Sequence, residues 1–165
     1  MEKEFIKIIS DHQGIILKVC RMYCHDRTDS EDLFQEIVLQ LWRSYPKYNG
    51  TAKVSTWMYR VGLNTAITSL RKNSRRRDTY ALSEKDNEFP QSDNERIDIE
   101  YDKELQTAID ALNKFDKALV MLYLDEKSYK EMAEILGISE SNIGVKISRI
   151  KQKLKEILNP KSNGT

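Results

Sequence analysis

The stretch Ser128–Lys155 reads SYKEMAEILGISESNIGVKISRIKQKLK. Ser128 is a helix-capping residue, and Glu131 three positions later completes a capping box. Met132, Ala133, Ile135 and Leu136 then give a short apolar face. Gly137 follows, where a left-handed turn residue is least costly, and Ile138 plugs the turn. Ser139 caps a second helix with an apolar side of Ile143, Ile147, Ile150 and Leu154, at spacings of three and four. Two short helices joined by a glycine turn, with a small Ala facing the second, predict a helix-turn-helix. Its second helix would enter a major groove with its N-terminal residues on base edges. The exposed side offers Ser141, Asn142, Val145, Lys146, Ser148 and Arg149, then Lys151, Lys153 and Lys155. A helical hairpin with a lysine-rich solvated face is the competing reading of this segment alone.

Outward from this motif, Leu105, Ala108, Ile109, Leu112, Phe115, Ala118, Leu119 and Leu122 continue a helical period. Asn113 breaks it into two short helices, the second capped by Asp116. Both would support the helix-turn-helix in a small four-helix domain. Upstream, residues 78–104 include EKDNEFPQSDNE. Low hydrophobicity, Pro90 and high charge mark a flexible acidic linker. Roughly 25 such residues span about 28 Å as a coil and at most about 80 Å extended.

The chain has 165 residues, 39% hydrophobic and 32% charged, which suits one domain or two small ones. Three prolines, six glycines and long helical periods point to an all-α fold. A net charge of only +1 hides an uneven distribution: +5 over residues 1–80, −6 over 81–104 and +2 over 105–165. Two basic segments are separated by an acidic one, so the average conceals two DNA-facing surfaces. No apolar run approaches the roughly 20 residues of a membrane span, and MEKEF is no signal peptide, so a cytoplasmic protein without membrane insertion is expected. Cys20 and Cys24, beside His25, are too few for a metal site and are expected as buried thiols. No nucleotide-binding loop, metal cluster or nucleophile–base pair suggests an enzyme, and no cofactor is called for.

In the N-terminal half, Phe5, Ile6, Ile9, Ile16, Leu17, Val19, Cys20 and Tyr23 predict one helix, or two broken near Gly14. Residues 28–45 read TDSEDLFQEIVLQLWRSY. Thr28 with Glu31 forms a second capping box, and Asp29, Glu31 and Asp32 suit the first turn. Leu33, Phe34, Ile37, Val38, Leu41 and Trp42 make a wide stripe expected to bury. The other side carries Asp32, Gln35, Glu36, Leu39 and Arg43, a candidate docking surface for a protein partner or simply a solvated face. Pro46, Asn49 and Gly50 mark a loop over 46–54, in which Tyr48 is an aromatic able to stack on an unpaired base. Ser55 or Thr56 then caps a helix. Trp57, Met58, Val61, Ala66 and Leu70 would bury, while Tyr59, Arg60, Asn64 and Ser69 need not. The helix ends in Arg71, Lys72, Arg75, Arg76 and Arg77, a phosphate-binding patch denser than a helix dipole requires.

Three stretches in this order resemble the sigma-70 family of RNA polymerase sigma factors, in its compact extracytoplasmic-function form. They are DLFQEIVLQLW, VSTWMYRVGLNTA and SYKEMAEILGIS, and the resemblance covers about residues 5–158. It implies a sigma2-like domain over 1–77, a linker over 78–104 and a sigma4-like helix-turn-helix domain over 105–165. It implies core RNA polymerase as partner, through the clamp helices of the largest subunit and the flap, with Asp32, Gln35, Glu36 and Leu39 docking on the clamp helices. Promoter DNA is the second implied partner, and an anti-sigma factor a further one. Tyr48, Asn49, Gly50, Val61 and Asn64 would shape a pocket for a base flipped from the −10 strand. Arg71, Lys72, Arg75 and Arg76 would hold −10 phosphates. Ser141, Asn142, Val145, Lys146, Ser148 and Arg149 would face the −35 major groove. The chain departs from the family at Leu112-Asn113, where Leu-Pro is common, at Gly144, where Arg or Lys is common, and in loop 46–54. The rival class is a helix-turn-helix regulator that binds DNA on its own. The absence of a dimerisation heptad and the presence of the docking helix speak against it.

Overall fold

The computed structural model describes residues 1–80 and 103–160, with side chains described for 1–69 and 103–160. Seven α-helices and one short 3-10 turn make up these residues, with no strand among them. The chain divides into two compact units between Gln91 and Ser92.

The first unit packs α1 (Glu2–Tyr23), α2 (Arg27–Ser44) and α3 (Val54–Tyr80) each against the other two. Helix α1 buries Phe5, Ile16, Val19, Cys20, Met22 and Tyr23. Its break lies at His12 (φ −121°, ψ 17°), slightly before the expected Gly14. There the His12 Nδ1 lies 3.1 Å from the Ile8 carbonyl, so the ring helps satisfy a backbone group at the kink. Helix α2 starts two residues earlier than the Thr28 box predicts. Asp26 is the cap: its backbone is extended (φ −106°, ψ 141°), and its Oδ1 accepts the Thr28 N–H at 2.7 Å. Asp is a stronger cap than Thr, and the shift leaves Asp29 as the acid of the first turn. Glu31 instead pairs with Arg27 at 3.0 Å.

The inner stripe of α2 is narrower than its sequence suggests. Leu33, Ile37 and Leu41 are buried, Phe34 and Val38 are half-buried, and Trp42 is 40% exposed. Trp42, near the C-terminal end of the helix, makes an edge-to-face contact with Phe5 at 4.9 Å. Helix α3 shows the opposite deviation. Thr56, Trp57, Met58, Tyr59, Leu63 and Ala66 are all buried, including Tyr59, which the pattern did not require to bury. Helix α3 touches both α1 and α2, so its buried arc is wide. A Cβ on Gly62 would stand 3.6 Å from Val19 Cγ2 and 3.8 Å from Ile37 Cγ2, one from each neighbour. Ser55 and Thr56 lie inside the helix rather than before it.

The second unit packs α7 (Glu140–Leu158) against α4 (Lys103–Asp110), α5 (Lys114–Leu124) and α6 (Tyr129–Leu136). Ala108, Ile109, Leu112, Ala118, Leu119, Leu122, Met132, Ile135, Ile143, Ile147 and Ile150 form its core. Asn113 is the cap of α5, and its Oδ1 accepts the Asp116 N–H at 2.8 Å. The residue expected as cap is thus the one whose N–H is capped. Asn in place of the family's Pro therefore costs nothing in definition: it ends one helix and starts the next.

Between α5 and α6 the chain makes a turn the sequence did not announce. Glu126 takes a left-handed conformation (φ 59°), with its N–H bonded to the Tyr123 carbonyl at 3.1 Å. The Lys127 N–H reaches the Leu122 carbonyl at 3.1 Å, completing a Schellman motif. Then the helix-turn-helix follows as read. Ser128 accepts the Glu131 N–H at 3.1 Å, Gly137 is left-handed (φ 72°, ψ 28°), and Ser139 accepts the Asn142 N–H at 3.2 Å. The acidic segment between 81 and 102 lies outside the described residues.

Candidate functional site

Three surfaces carry the sequence-predicted residues. On α2, Asp32 and Gln35 are exposed, Glu36 is half-buried, and Leu39 is 40% exposed. Glu36 is tied to the same surface by its Oε1, which accepts from Gln40 Nε2 at 3.0 Å. Helical spacing also puts the exposed Trp42 on this face, seven residues after Gln35. An exposed apolar pair beside acid and amide groups has no packing role to explain it, since Leu33, Ile37 and Leu41 already complete the core contact. Trp42 was missed as a surface residue because an apolar residue on an apolar stripe gives no outward signal.

The second surface is the α2–α3 connection. A 3-10 turn over Tyr45–Lys47 leads to Tyr48, which is half-buried. The Tyr48 ring stacks on Trp57 with centroids 4.6 Å apart and planes 18° off parallel. Its hydroxyl donates to the Ala52 carbonyl at 2.6 Å. Asn49 Oδ1 accepts from both the N–H and the hydroxyl of Thr51, at 3.1 and 2.7 Å. Gly50 (φ 78°) supplies the reversal that an L side chain resists. Val61 is half-buried and Asn64 exposed, one helical turn apart on α3. Arg71, Lys72, Arg75 and Arg76 belong to the last turns of the same helix, whose backbone runs to Tyr80; their side chains lie outside the described residues.

The third surface is α7. Ser141, Asn142, Val145, Ser148 and Arg149 are exposed, opposite the buried Ile143, Ile147 and Ile150. Lys146 departs from this set. It is half-buried at the margin of the core, with its ammonium 5.2 Å from the centre of the Phe115 ring. Position 146 follows Ile143 by three residues, so it sits beside the apolar stripe rather than opposite it. On the other margin, the Lys151 ammonium lies 4.5 Å over the Tyr123 ring. A hydrogen bond with Tyr123 is the main cause holding Lys151 above its usual pKa. Gly144 faces the edge of Tyr129, whose Cε2 would meet an added Cβ at 3.6 Å. These aromatic partners come from α5 and α6, which α7's own periodicity cannot report.

The description Sigma-70 region 2 matches residues 8–76, and Sigma-70, region 4 matches residues 102–154. The RNA polymerase sigma-H factor of Pseudomonas aeruginosa is 24% identical over 170 residues, covering 96% of this chain and 88% of that protein. The ECF RNA polymerase sigma factor SigM of Bacillus subtilis is 30% identical over 139 residues, covering 81% of this chain and 82% of that one. Among solved structures, the sigma factor RpoE of Bartonella quintana, in complex with the anti-sigma factor NepR, superposes with a TM-score of 0.65. That likeness covers 96% of each chain at 17% identity and speaks for the fold. The chain belongs to the sigma-70 family of RNA polymerase sigma factors, in its extracytoplasmic-function branch. Its function is that of a sigma factor: it joins core RNA polymerase and directs promoter recognition and transcription initiation. The stand-alone regulator is not favoured. No helix among the described residues is long and apolar enough to cross a membrane.

Proposed function

We propose that the three surfaces divide the work of a sigma factor among themselves. Asp32, Gln35, Glu36 and Leu39 dock on the clamp helices of the polymerase largest subunit. Tyr48, Asn49, Gly50, Val61 and Asn64 receive a base flipped from the −10 strand, with Arg71, Lys72, Arg75 and Arg76 on the neighbouring phosphates. Ser141, Asn142, Val145, Ser148 and Arg149 face the −35 major groove, with Lys146 at its margin. Domain limits at 1–77, 78–104 and 105–165 go with this division, although α3 runs three residues past the first limit, to Tyr80, and α4 starts two residues before the last, at Lys103. The role is one of binding rather than catalysis, exercised in the cytoplasm where polymerase works. An anti-sigma factor would compete for these surfaces, by analogy with the complex of the Bartonella quintana protein.

The observation that carries the docking assignment is Leu39, 40% exposed among acid and amide side chains while the inner face of its helix is already packed. Gln35→Ala combined with Leu39→Ala should weaken capture of core polymerase while leaving the circular dichroism spectrum native. Unchanged affinity in a folded double variant would remove α2 from the interface.

A further inference from the structure

The loop between α2 and α3 is held at more points than a connection of its length needs. Tyr48 is fixed twice, by its stack on Trp57 and by its hydroxyl on the Ala52 carbonyl. Trp57 is itself packed in place. It is 6% exposed and touches Tyr45 at 6.2 Å, and Tyr45 in turn touches Phe5 at 5.4 Å. The tip is fixed as well, because Asn49 Oδ1 takes both donors of Thr51. A backbone N–H can only donate, so the atom of Asn49 facing Thr51 must be the carboxamide oxygen. The group Asn49 has left to offer is its NH2, a pure donor. Tyr48 has likewise committed its hydroxyl proton to Ala52.

We infer that Asn49 reads the unpaired −10 base as a pre-aimed hydrogen-bond donor, and that Trp57, through its stack on Tyr48, is the residue that positions it. The inference rests on the assignment of this loop to the −10 strand and adds a polarity to it. The ligand is a single-stranded base that presents an acceptor on its Watson–Crick edge, such as the N3 or O2 of cytosine. Extruding a base already costs a few kcal/mol. A loop that had to fold at the same moment would add the entropy of ordering its residues. Here that order is present beforehand, in contacts made within the protein. Trp57 is a positioning residue: it meets the base only through Tyr48 and the chain that Tyr48 anchors.

The test is transcription by full-length chain reconstituted with core polymerase, on a promoter library randomised across the −10 and −35 elements. Asn49→Asp keeps an oxygen for Thr51 but replaces the outward donor with an acceptor. It should lower discrimination at one −10 position by about tenfold, or change the preferred base there. Trp57→Leu should blur the same position, and Trp57→Phe, which keeps an aromatic face for Tyr48, should restore most of the preference. Polymerase affinity and −35 preference should hold in all three. Should Trp57→Leu lose cooperative melting, Tyr45→Leu, which removes a ring packed on Trp57 from outside the pocket, serves in its place. Asn64→Ala separates the two ways of failing. If it shifts the −10 preference and Asn49→Asp does not, the donor assignment is overturned alone. If neither it nor any loop variant alters −10 preference, the loop is not the −10 site, and both readings fall. If Trp57→Leu lowers every promoter equally, Trp57 is packing only, and its positioning role is overturned.

Discussion

The two units fix their outward-facing residues by different means. In the second, α6 and α7 are defined by contacts within a few positions: Ser128 on Glu131, Gly137 on Ala133, Ser139 on Asn142. In the first, Tyr48 is held by Trp57, and Phe5 at the start of α1 touches both Trp42 and Tyr45. One surface is presented by caps and helical phase, the other by aromatic rings brought together from distant parts of the chain. A recognition helix needs only to be a helix with the right phase. A base pocket in a loop has no period to rely on and must be packed into shape.

The largest test of this contrast is Trp57→Ala, which should cost about 3–5 kcal/mol, the usual range for a buried aromatic. Chemical denaturation of the full chain should show the loss in the first unit, with the α7 core unaffected. A loss under about 1 kcal/mol would mean the aromatic cluster does not hold the loop. The next test sets two glycines of the second unit against each other. Gly137→Ala should destabilise by about 1–2 kcal/mol through its left-handed backbone alone, since nothing lies within 4 Å of the added Cβ. Gly144→Ala should instead stabilise by about 0.5–1 kcal/mol, because it sits inside a helix and its Cβ meets Tyr129 at ordinary contact distance. Thermal melting of both variants reads the opposite signs.

A third test is confined to the first unit. Burial raises the Cys20 thiol from 9.0 to about 11, partly offset by a hydrogen bond with Ser30 and by Arg21. The folded state therefore keeps a proton that the unfolded state loses first. Its contribution is full below pH 9 and is lost as the pH rises from 9 towards 11. A Cys20→Ala variant, measured over that window, should lack this slope. Cys20 should also resist thiol reagents until the unit unfolds. The smallest effect is expected at Glu126. Glycine is the residue this left-handed position favours, so Glu126→Gly should stabilise by a few tenths to about 1 kcal/mol in urea titration. A loss there would show that the Glu126 side chain contributes more than its strained backbone costs.

The same contrast explains what could be read in advance. The all-α class, the helix-turn-helix with its caps, and the α2 face from Asp32 to Leu39 were legible because each is written in i to i+3 and i+4 spacings. The caps of α2 and α5 were read two and three positions late, at Thr28 and Asp116 instead of Asp26 and Asn113, since several capping residues stand close together there. Trp42 was expected to bury and is 40% exposed, while Tyr59, which the pattern did not require to bury, is buried. A helix wheel orders residues by angle, but where the neighbouring helices lie decides which part of the arc is buried. The contact of the Lys146 ammonium with Phe115 was not legible either, because its partner lies on another helix. The stack of Tyr48 on Trp57 was invisible, because nine positions across a loop carry no periodic signal.

Leu39 and Trp42 also bear on how the free chain behaves as a solute. Each is 40% exposed, and the net charge of the whole chain is only +1. Colloidal repulsion between copies is then weak at neutral pH, while an adhesive apolar pair stays in contact with water. Chain made in excess of its polymerase has little to keep it apart from itself. The face that would dock it thus also sets the concentration at which the unbound protein remains dispersed.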